Sequence, residues 1–335
     1  MIEFLPVIVL VLSFLVLLMM GVPVAWCIAT SSMFTLMVAM PFSAAATTVS
    51  QRIATGLDSF ALLAIPFFIL SGQIMSKGGI AHRLISFAKT LVGFLPGGLA
   101  LINIVSAMLM GAIAGSAMAS ASAMGTILGP EMEKEGYSKE FGAAVNITSS
   151  TTGLVIPPSN TLIVYSLASG GVSIAALFLA GYIPGILTGL LMMIVAMIWA
   201  KKNNYPVGKR ATLKEVFVAF IDAFPSLLLL VIVIGGIIGG AFTATEASAV
   251  AVLYTVLLSF YYKELSMNDL PKVILESVET TAIVMLLIGA SMCMSWVLSY
   301  ENIPQDISNA LLSISDNKIV ILLMINLILL AVGVF

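Results

Sequence analysis

The sequence predicts an all-α polytopic membrane protein, and three observations predict it. Sixty per cent of the 335 residues are hydrophobic. Only 9% are charged, against about 25% in soluble domains. The apolar residues gather in runs close to the roughly 20 that a helix needs to cross a bilayer. With a mean hydropathy of +1.15, the chain has too little polar surface to cover a water-soluble globule, so lipid must supply most of its surroundings.

Composition also excludes several functions. The net charge is −2, and no basic tract is long enough to grip nucleic-acid phosphates. Cys27 and Cys293 stand far apart inside apolar runs and read as small buried hydrophobes rather than a disulfide. His82 is the single histidine, which argues against zinc and histidine-dependent hydrolytic sites. The first apolar run, Ile2 to Met20, lacks a basic flank and a small-residue cleavage site, so it reads as a retained span rather than a signal peptide.

Hydrophobic spans are expected near 3–20, 23–40, 59–76, 141–166, 173–199, 222–240, 244–262 and 275–299, while 97–130 and 319–335 are apolar but do not read as ordinary spans. With the N-terminus outside and 97–130 entering and leaving on one side, 12 of the 14 Lys and Arg residues fall in the cytoplasm, leaving Arg52 and Lys318 outside. A simple crossing at 97–130 would reverse every later loop. Residues 77–96 place Lys77, His82, Arg83 and Lys89 among Ile80, Leu84, Ile85, Phe87 and Leu91, the pattern of a helix lying along a membrane surface. The most polar stretch, 200–221, reads as a cytoplasmic connection between two halves.

The halves look related. Gly56 to Met75 in the first matches Ser277 to Leu298 in the second, which pairs Asp58 with Glu279 and Ser59 with Thr280. On this orientation the copies face opposite ways, as inverted-repeat transporters do. The run from Ile319 to Phe335 then matches the first arm of the earlier hairpin, so the expectation is a chain truncated before the return arm.

The densest signal is "GAIAGSAMASASAMGTILGP", Gly111 to Pro130, which sets Gly115, Ser116, Ser120 and Ser122 among further small residues. One reading is a hairpin tip where glycine frees backbone carbonyls and hydroxyls supply oxygen for a hard cation such as sodium. The other is close helix packing through small residues. A second signal runs from Asn146 to Ser166, where Ser149, Thr152 and Gly153 precede Pro157, Pro158, Ser159 and Asn160. Adjacent prolines break a helix, and in lipid a broken helix must line a protein cavity. The following helix would aim its positive N-terminal dipole at the break, where a carboxylate could sit. The alternative, a loop between two short spans, spoils the charge orientation. Glu246, Asp58 and Glu279 read as carboxylates at helix starts, Glu246 with proton relay as the rival role. "EMEKEGYSKE" reads as a solvated turn, Tyr165 as either a substrate contact or structural, and the methionines as core filler.

Five motifs, "PFFILSGQIMSKGGI", "LVGFLPGGLA", "MGAIAGSAMASASAMG", "IPPSNTLIVYS" and "LFLAGYIPGIL", occur in this order with fitting spacing. Together they resemble the large permease subunit of tripartite ATP-independent periplasmic (TRAP) transporters, over essentially the whole chain. The resemblance implies a sodium-driven importer of organic acids in a bacterial inner membrane, in which the outside N-terminus read from the basic residues would be periplasmic. It implies two partners, a small four-helix membrane subunit and a soluble periplasmic substrate-binding protein. It also implies an inverted-repeat elevator with re-entrant hairpins and a discontinuous helix. Residues 1–58 would be scaffold and 59–199 the first transport region, with arm helix 77–96, hairpin 97–130 and broken helix 141–166. After the connection at 200–221, residues 222–274 would be second-repeat scaffold and 275–335 the start of a second transport region. Sodium would be held by Gly115, Ser116, Ser120, Ser149, Thr152 and Gly153, and substrate by Ser122, Pro157, Pro158, Ser159 and Asn160. The second sodium site would lie beyond the end of the chain. Acids carried in this family include C4-dicarboxylates and sialic acid, and "SNTLIVYSLASGGVSIAALF" leans toward the latter.

Three rivals remain at the level of sequence. A sodium/carboxylate symporter of similar elevator design would need no binding protein, and co-purification with a small membrane subunit separates the two. A rhomboid-like intramembrane enzyme would need His82 within the bilayer, but its setting is basic and interfacial. A channel would conduct without saturation.

Overall fold

The computed structural model describes residues 5–315 and 317–333; residues 1–4, 316 and 334–335, with Phe335 at the end of the last apolar run, lie outside the described part. Fifteen α-helices follow one another among the described residues. They are α1 (Leu5–Met19), α2 (Val24–Ala39), α3 (Phe42–Leu57), α4 (Ala64–Lys77), α5 (Ile80–Val92), α6 (Gly98–Ala114), α7 (Ala117–Lys134) and α8 (Lys139–Ser150). Then come α9 (Asn160–Ala168), α10 (Ile174–Lys202), α11 (Leu213–Ile238), α12 (Ala244–Tyr261), α13 (Leu270–Tyr300), α14 (Ile303–Ile314) and α15 (Lys318–Val332). Two 3-10 turns, Phe60–Leu63 and Thr151–Leu154, precede α4 and follow α8. Among the described residues, five helical stretches are long and apolar enough to cross a membrane: Phe60–Lys77, α10, α11, α12 and α13. The chain is an all-α polytopic membrane protein.

The residues form two compact units, one of residues 1–58 and 283–335, the other of 59–282. In the first, α1 packs on α2 and α2 on α3. Leu36, Ala45, Val49, Cys293 and Val297 make a buried core, and the Arg52 guanidinium lies 4.3 Å from the Trp296 ring centroid. Both cysteines are buried free thiols.

In the second unit α4 runs against α12, and the Thr245 hydroxyl donates to the Phe60 carbonyl at 2.9 Å. Helix α5 forms where the amphipathic pattern places it. Its apolar side (Ile80, Ala81, Leu84, Ile85, Ala88) is buried, with α6 and α11 as its neighbours, so protein covers the face expected to meet lipid. Arg83 fastens it: the guanidinium stacks 3.5 Å from the Tyr262 ring centroid and reaches Asp222 at 3.4 Å. Lys77 pairs with Glu276.

Several sequence expectations change. Helix α3 occupies residues between two expected spans; its Ser, Thr and Gln content hid it. The polar connection expected at 200–221 is shorter, because α11 begins at Leu213. Thr212 caps Glu215 N–H with its hydroxyl, and the Glu215 carboxylate returns the bond to the Thr212 N–H, a box that starts a helix before its apolar run. Glu246 makes the same box with Thr243 at the start of α12, which is the capping role expected of it. Glu279 lies well inside α13 rather than at a helix start, while Asp58 closes α3. Their local settings therefore differ: a break precedes α4, whereas α13 runs unbroken through Glu279. What does recur is the order of element types: an apolar helix, a short amphipathic helix and another apolar helix, in α4–α5–α6 and again in α13–α14–α15.

The turn between α7 and α8 is held by aromatic rings. Tyr137 stacks on Tyr205 with centroids 4.3 Å apart, Phe141 stacks on Trp199 at 6.1 Å, and the Ser138 N–H donates to the Tyr205 hydroxyl at 3.3 Å. Burial pushes the Tyr137 phenol up to about 12.

Two outcomes are expected. Thr243→Ala, which removes the cap of α12, lowers stability by about 1 kcal/mol in thermal melts. Tyr137 favours the neutral phenol in the folded state. Its contribution to stability is therefore lost as pH rises from 10.0 towards about 12. Tyr137→Phe removes that alkaline decline, which melts across this range would show.

Candidate functional site

Helix α6 stops because Gly115 turns left-handed, with φ +61°, a conformation that costs glycine little. Its N–H closes on the Gly111 carbonyl at 2.8 Å. The chain reverses at once: Ser116 caps α7, its hydroxyl accepting from Ala119 N–H at 3.3 Å. Along the hairpin the buried Ser120 hydroxyl donates to the Ala107 carbonyl at 3.3 Å. Among the described residues no donor reaches the carbonyls of Ala112, Ile113 and Ala114, all in buried residues at the end of α6.

The second interruption follows α8. The Thr152 carbonyl accepts from both Val155 N–H (3.1 Å) and Ile156 N–H (2.8 Å), then the cis Pro157–Pro158 pair prevents further helix. Ser159 starts α9, accepting from Leu162 N–H and donating to the Leu154 carbonyl. The sequence-predicted discontinuous helix is thus α8, a turn, two prolines and α9.

The two interruptions touch. A Cβ on Gly111 would lie 2.4 Å from the Gly153 Cα, and one on Gly115 would lie 2.7 Å from the Pro158 carbonyl oxygen. The Asn160 N–H points to the Gly115 carbonyl at 3.5 Å. Backbone meets backbone here, which is why glycine stands at these positions. The C-terminal ends of α6 and α8 converge, each carrying roughly half a negative charge, beside the N-terminal ends of α7 and α9, each carrying roughly half a positive one. Helix α10 backs the break through Gly181, Gly185 and Gly189; a Cβ on Gly185 would sit 2.4 Å from Ile156 Cγ1. Small residues spaced four apart give such close approach.

Of the residues expected to hold sodium, Gly115, Ser116 and Gly153 meet at this contact, and Thr152 and Ser149 lie just before it. Ser149 and Ser120 are fully buried. The hydroxyls of Ser120, Ser149 and Thr152 spend their protons on neighbouring oxygens, Thr152 on the Ser149 carbonyl at 2.6 Å, and keep lone pairs free. Of the substrate candidates, Pro157, Pro158, Ser159 and Asn160 form the break, and the Asn160 side-chain oxygen is buried without a partner. Ser122 stands apart, on an exposed side of α7. Three residues escaped the site prediction. Gly111 forms the closest backbone contact. Asn103, buried in α6, accepts from the Ser149 hydroxyl at 3.1 Å. Asn146 donates to the Ala121 carbonyl at 2.9 Å, tying α8 to α7. The available signal was an amide inside an apolar helix, "GLALINIVSAMLMG", where a polar group must have a partner.

The family described as tripartite ATP-independent periplasmic transporter, DctM component, matches residues 11–335. This chain belongs to that family. It is 54% identical over 330 residues to the uncharacterized protein YgiK of Salmonella typhimurium, covering 98% of this chain and 76% of the relative. It is 39% identical over 287 residues to the sialic acid TRAP transporter large permease protein SiaM of Vibrio cholerae, covering 85% and 67%. It is 40% identical over 279 residues to the C4-dicarboxylate TRAP transporter large permease protein DctM of Pseudomonas aeruginosa, covering 83% and 65%. As a DctM-family chain it is a transporter subunit rather than an enzyme.

The junction has a direct steric test. Gly111→Ala forces backbone apart and lowers stability by about 1–3 kcal/mol. Melts in detergent that rank Gly111→Ala no worse than wild type would contradict the contact.

Proposed function

We propose that this chain is the large membrane subunit of a sodium-coupled, binding-protein-dependent transporter that imports an organic acid across a bacterial inner membrane. The observation that carries the reading is the meeting of hairpin tip and helix break. Two negative helix ends with free carbonyls and hydroxyl lone pairs suit a small hard cation. Two positive helix ends beside them suit a carboxylate. A cation bound between α6 and α8 would order the tip against the break and complete the anion pocket, which couples the two solutes.

Family membership supports the partners, a small membrane subunit and a periplasmic binding protein that delivers the acid. The relatives named for sialic acid and for C4-dicarboxylates stand at 39% and 40% identity, so likeness does not choose between these acids. An elevator movement, with residues 59–199 carrying the site past the scaffold, fits a site built from interrupted helices. The periplasmic N-terminus follows from the distribution of basic residues.

The test is uptake of labelled organic acids into proteoliposomes holding the permease with its partners. Uptake should require an inward sodium gradient and fail when potassium replaces sodium. Ser120→Ala with Ser149→Ala, which removes two hydroxyl oxygens, should raise the sodium concentration for half-maximal uptake about tenfold or more. Uptake that proceeds equally without sodium would refute the coupling.

A further inference from the structure

Between α8 and α10 a groove of about 660 Å³ opens to the surface. Phe141, Ala144 and Val145 form one wall, and Leu191, Val195 and Trp199 form the other. Its two threonine hydroxyls spend their protons on their own helices: Thr148 donates to the Ala144 carbonyl and Thr188 to the Pro184 carbonyl, each at 2.7 Å. The walls therefore suit an apolar occupant. Helix α10 is apolar enough to span a bilayer and is mostly uncovered by protein, so lipid reaches the groove from the side.

The dimensions and the charge say which occupant. On α10 the lining runs from Thr188 to Trp199. At roughly 1.5 Å per residue that is about 16 Å, close to half of a hydrocarbon core about 30 Å thick. The groove is one leaflet deep. Phe141 and Trp199 stack at one end of it, centroids 6.1 Å apart, the kind of aromatic pair that favours a membrane–water boundary. The chain just past that end is basic. Residues 201–214 carry Lys201, Lys202, Lys209, Arg210 and Lys214 and no acid, and all five are exposed. Lys202 continues the groove face of α10, because Leu191, Val195, Trp199 and Lys202 follow one another at helical spacing. Neither Lys201 nor Lys202 has an ion-pair partner among the described residues. Against these cations the lining holds one carboxylate, Glu140. A lysine in the last turn of a helix complements its dipole, but that effect calls for no acid-free run of five cations. Such a run beside a membrane helix attracts anionic headgroups.

We propose that this groove holds one anionic glycerophospholipid, with an acyl chain between α8 and α10 and the headgroup phosphate on Lys201 and Lys202. The site is separate from the junction of hairpin tip and helix break, and nothing in it depends on the sodium reading.

The test follows Trp199 fluorescence in a Trp26→Phe, Trp296→Phe background, which leaves one tryptophan. The protein is reconstituted in phosphatidylcholine vesicles with rising fractions of brominated phosphatidylglycerol or, separately, brominated phosphatidylcholine. Bromine quenches at contact range. Brominated phosphatidylglycerol should quench with saturation at a low fraction, with an apparent affinity about tenfold above that of brominated phosphatidylcholine, the scale set by two cations near an anionic headgroup. Lys201→Gln with Lys202→Gln, on the exposed end of the helix, should bring the two curves together with helical circular dichroism unchanged. Ala144→Phe, which fills the groove from the α8 side, should remove the saturable component. Equal quenching by the two lipids with both lysines in place overturns the proposal. A preference for phosphatidylglycerol that survives the double lysine variant overturns the assigned site. No quenching by either lipid gives the groove to a protein occupant, such as a second copy of this chain, and overturns the lipid. Sodium is absent throughout, so these outcomes are distinct from failure of the coupling proposed above.

Discussion

The organising contact of this protein is backbone against backbone, Gly111 and Gly115 of one interrupted segment against Gly153 and Pro158 of another. A bilayer tolerates non-helical chain only where protein, water or solute satisfies its polar groups, at several kcal/mol for each group left bare. Neither interruption could therefore stand alone in an apolar setting. Each supplies part of what the other lacks, as in the long bond from Asn160 N–H to the Gly115 carbonyl. Much of the surrounding design serves that approach: Ala114 against Gly72 of α4, and the glycines of α10 that let Ile156 and Val155 lie close to its axis.

A contact of this kind has a chemical consequence. Four helix ends gathered in one place concentrate opposite partial charges a few ångströms apart without any ionised side chain. Oxygen is supplied by carbonyls, serine and threonine hydroxyls and the amide of Asn103. In the proposed sodium reading, such a set would bind and release the cation without the tight grip that carboxylates would impose.

The sequence made much of this legible, for identifiable reasons. Pro157 and Pro158 break a helix by covalent geometry, independent of surroundings, so the discontinuity was readable in place. Gly115 inside a run of small residues marked the hairpin tip, and the apolar stripe of residues 80–92 marked α5. The partner of α5 was not legible, because an amphipathic face looks the same whether lipid or α11 covers it. Helix α3 escaped notice because its composition is intermediate, and the start of α11 because a capping box lies before the apolar run. Asn103 and Asn146 were missed for a different reason. Their roles arise from three-dimensional proximity between α6, α7 and α8, which spacing along the chain does not encode.

The most direct measurement of the central claim is the thermal stability of the purified protein in sodium chloride against potassium or choline chloride at equal ionic strength. A cation bound only by the assembled junction must stabilise the folded state, by an amount that grows with the logarithm of its concentration. The account predicts a melting temperature that climbs with sodium, is flat in the other salts, and loses its sodium dependence in Gly115→Ala. Identical melts of the unmodified protein in all three salts would contradict it.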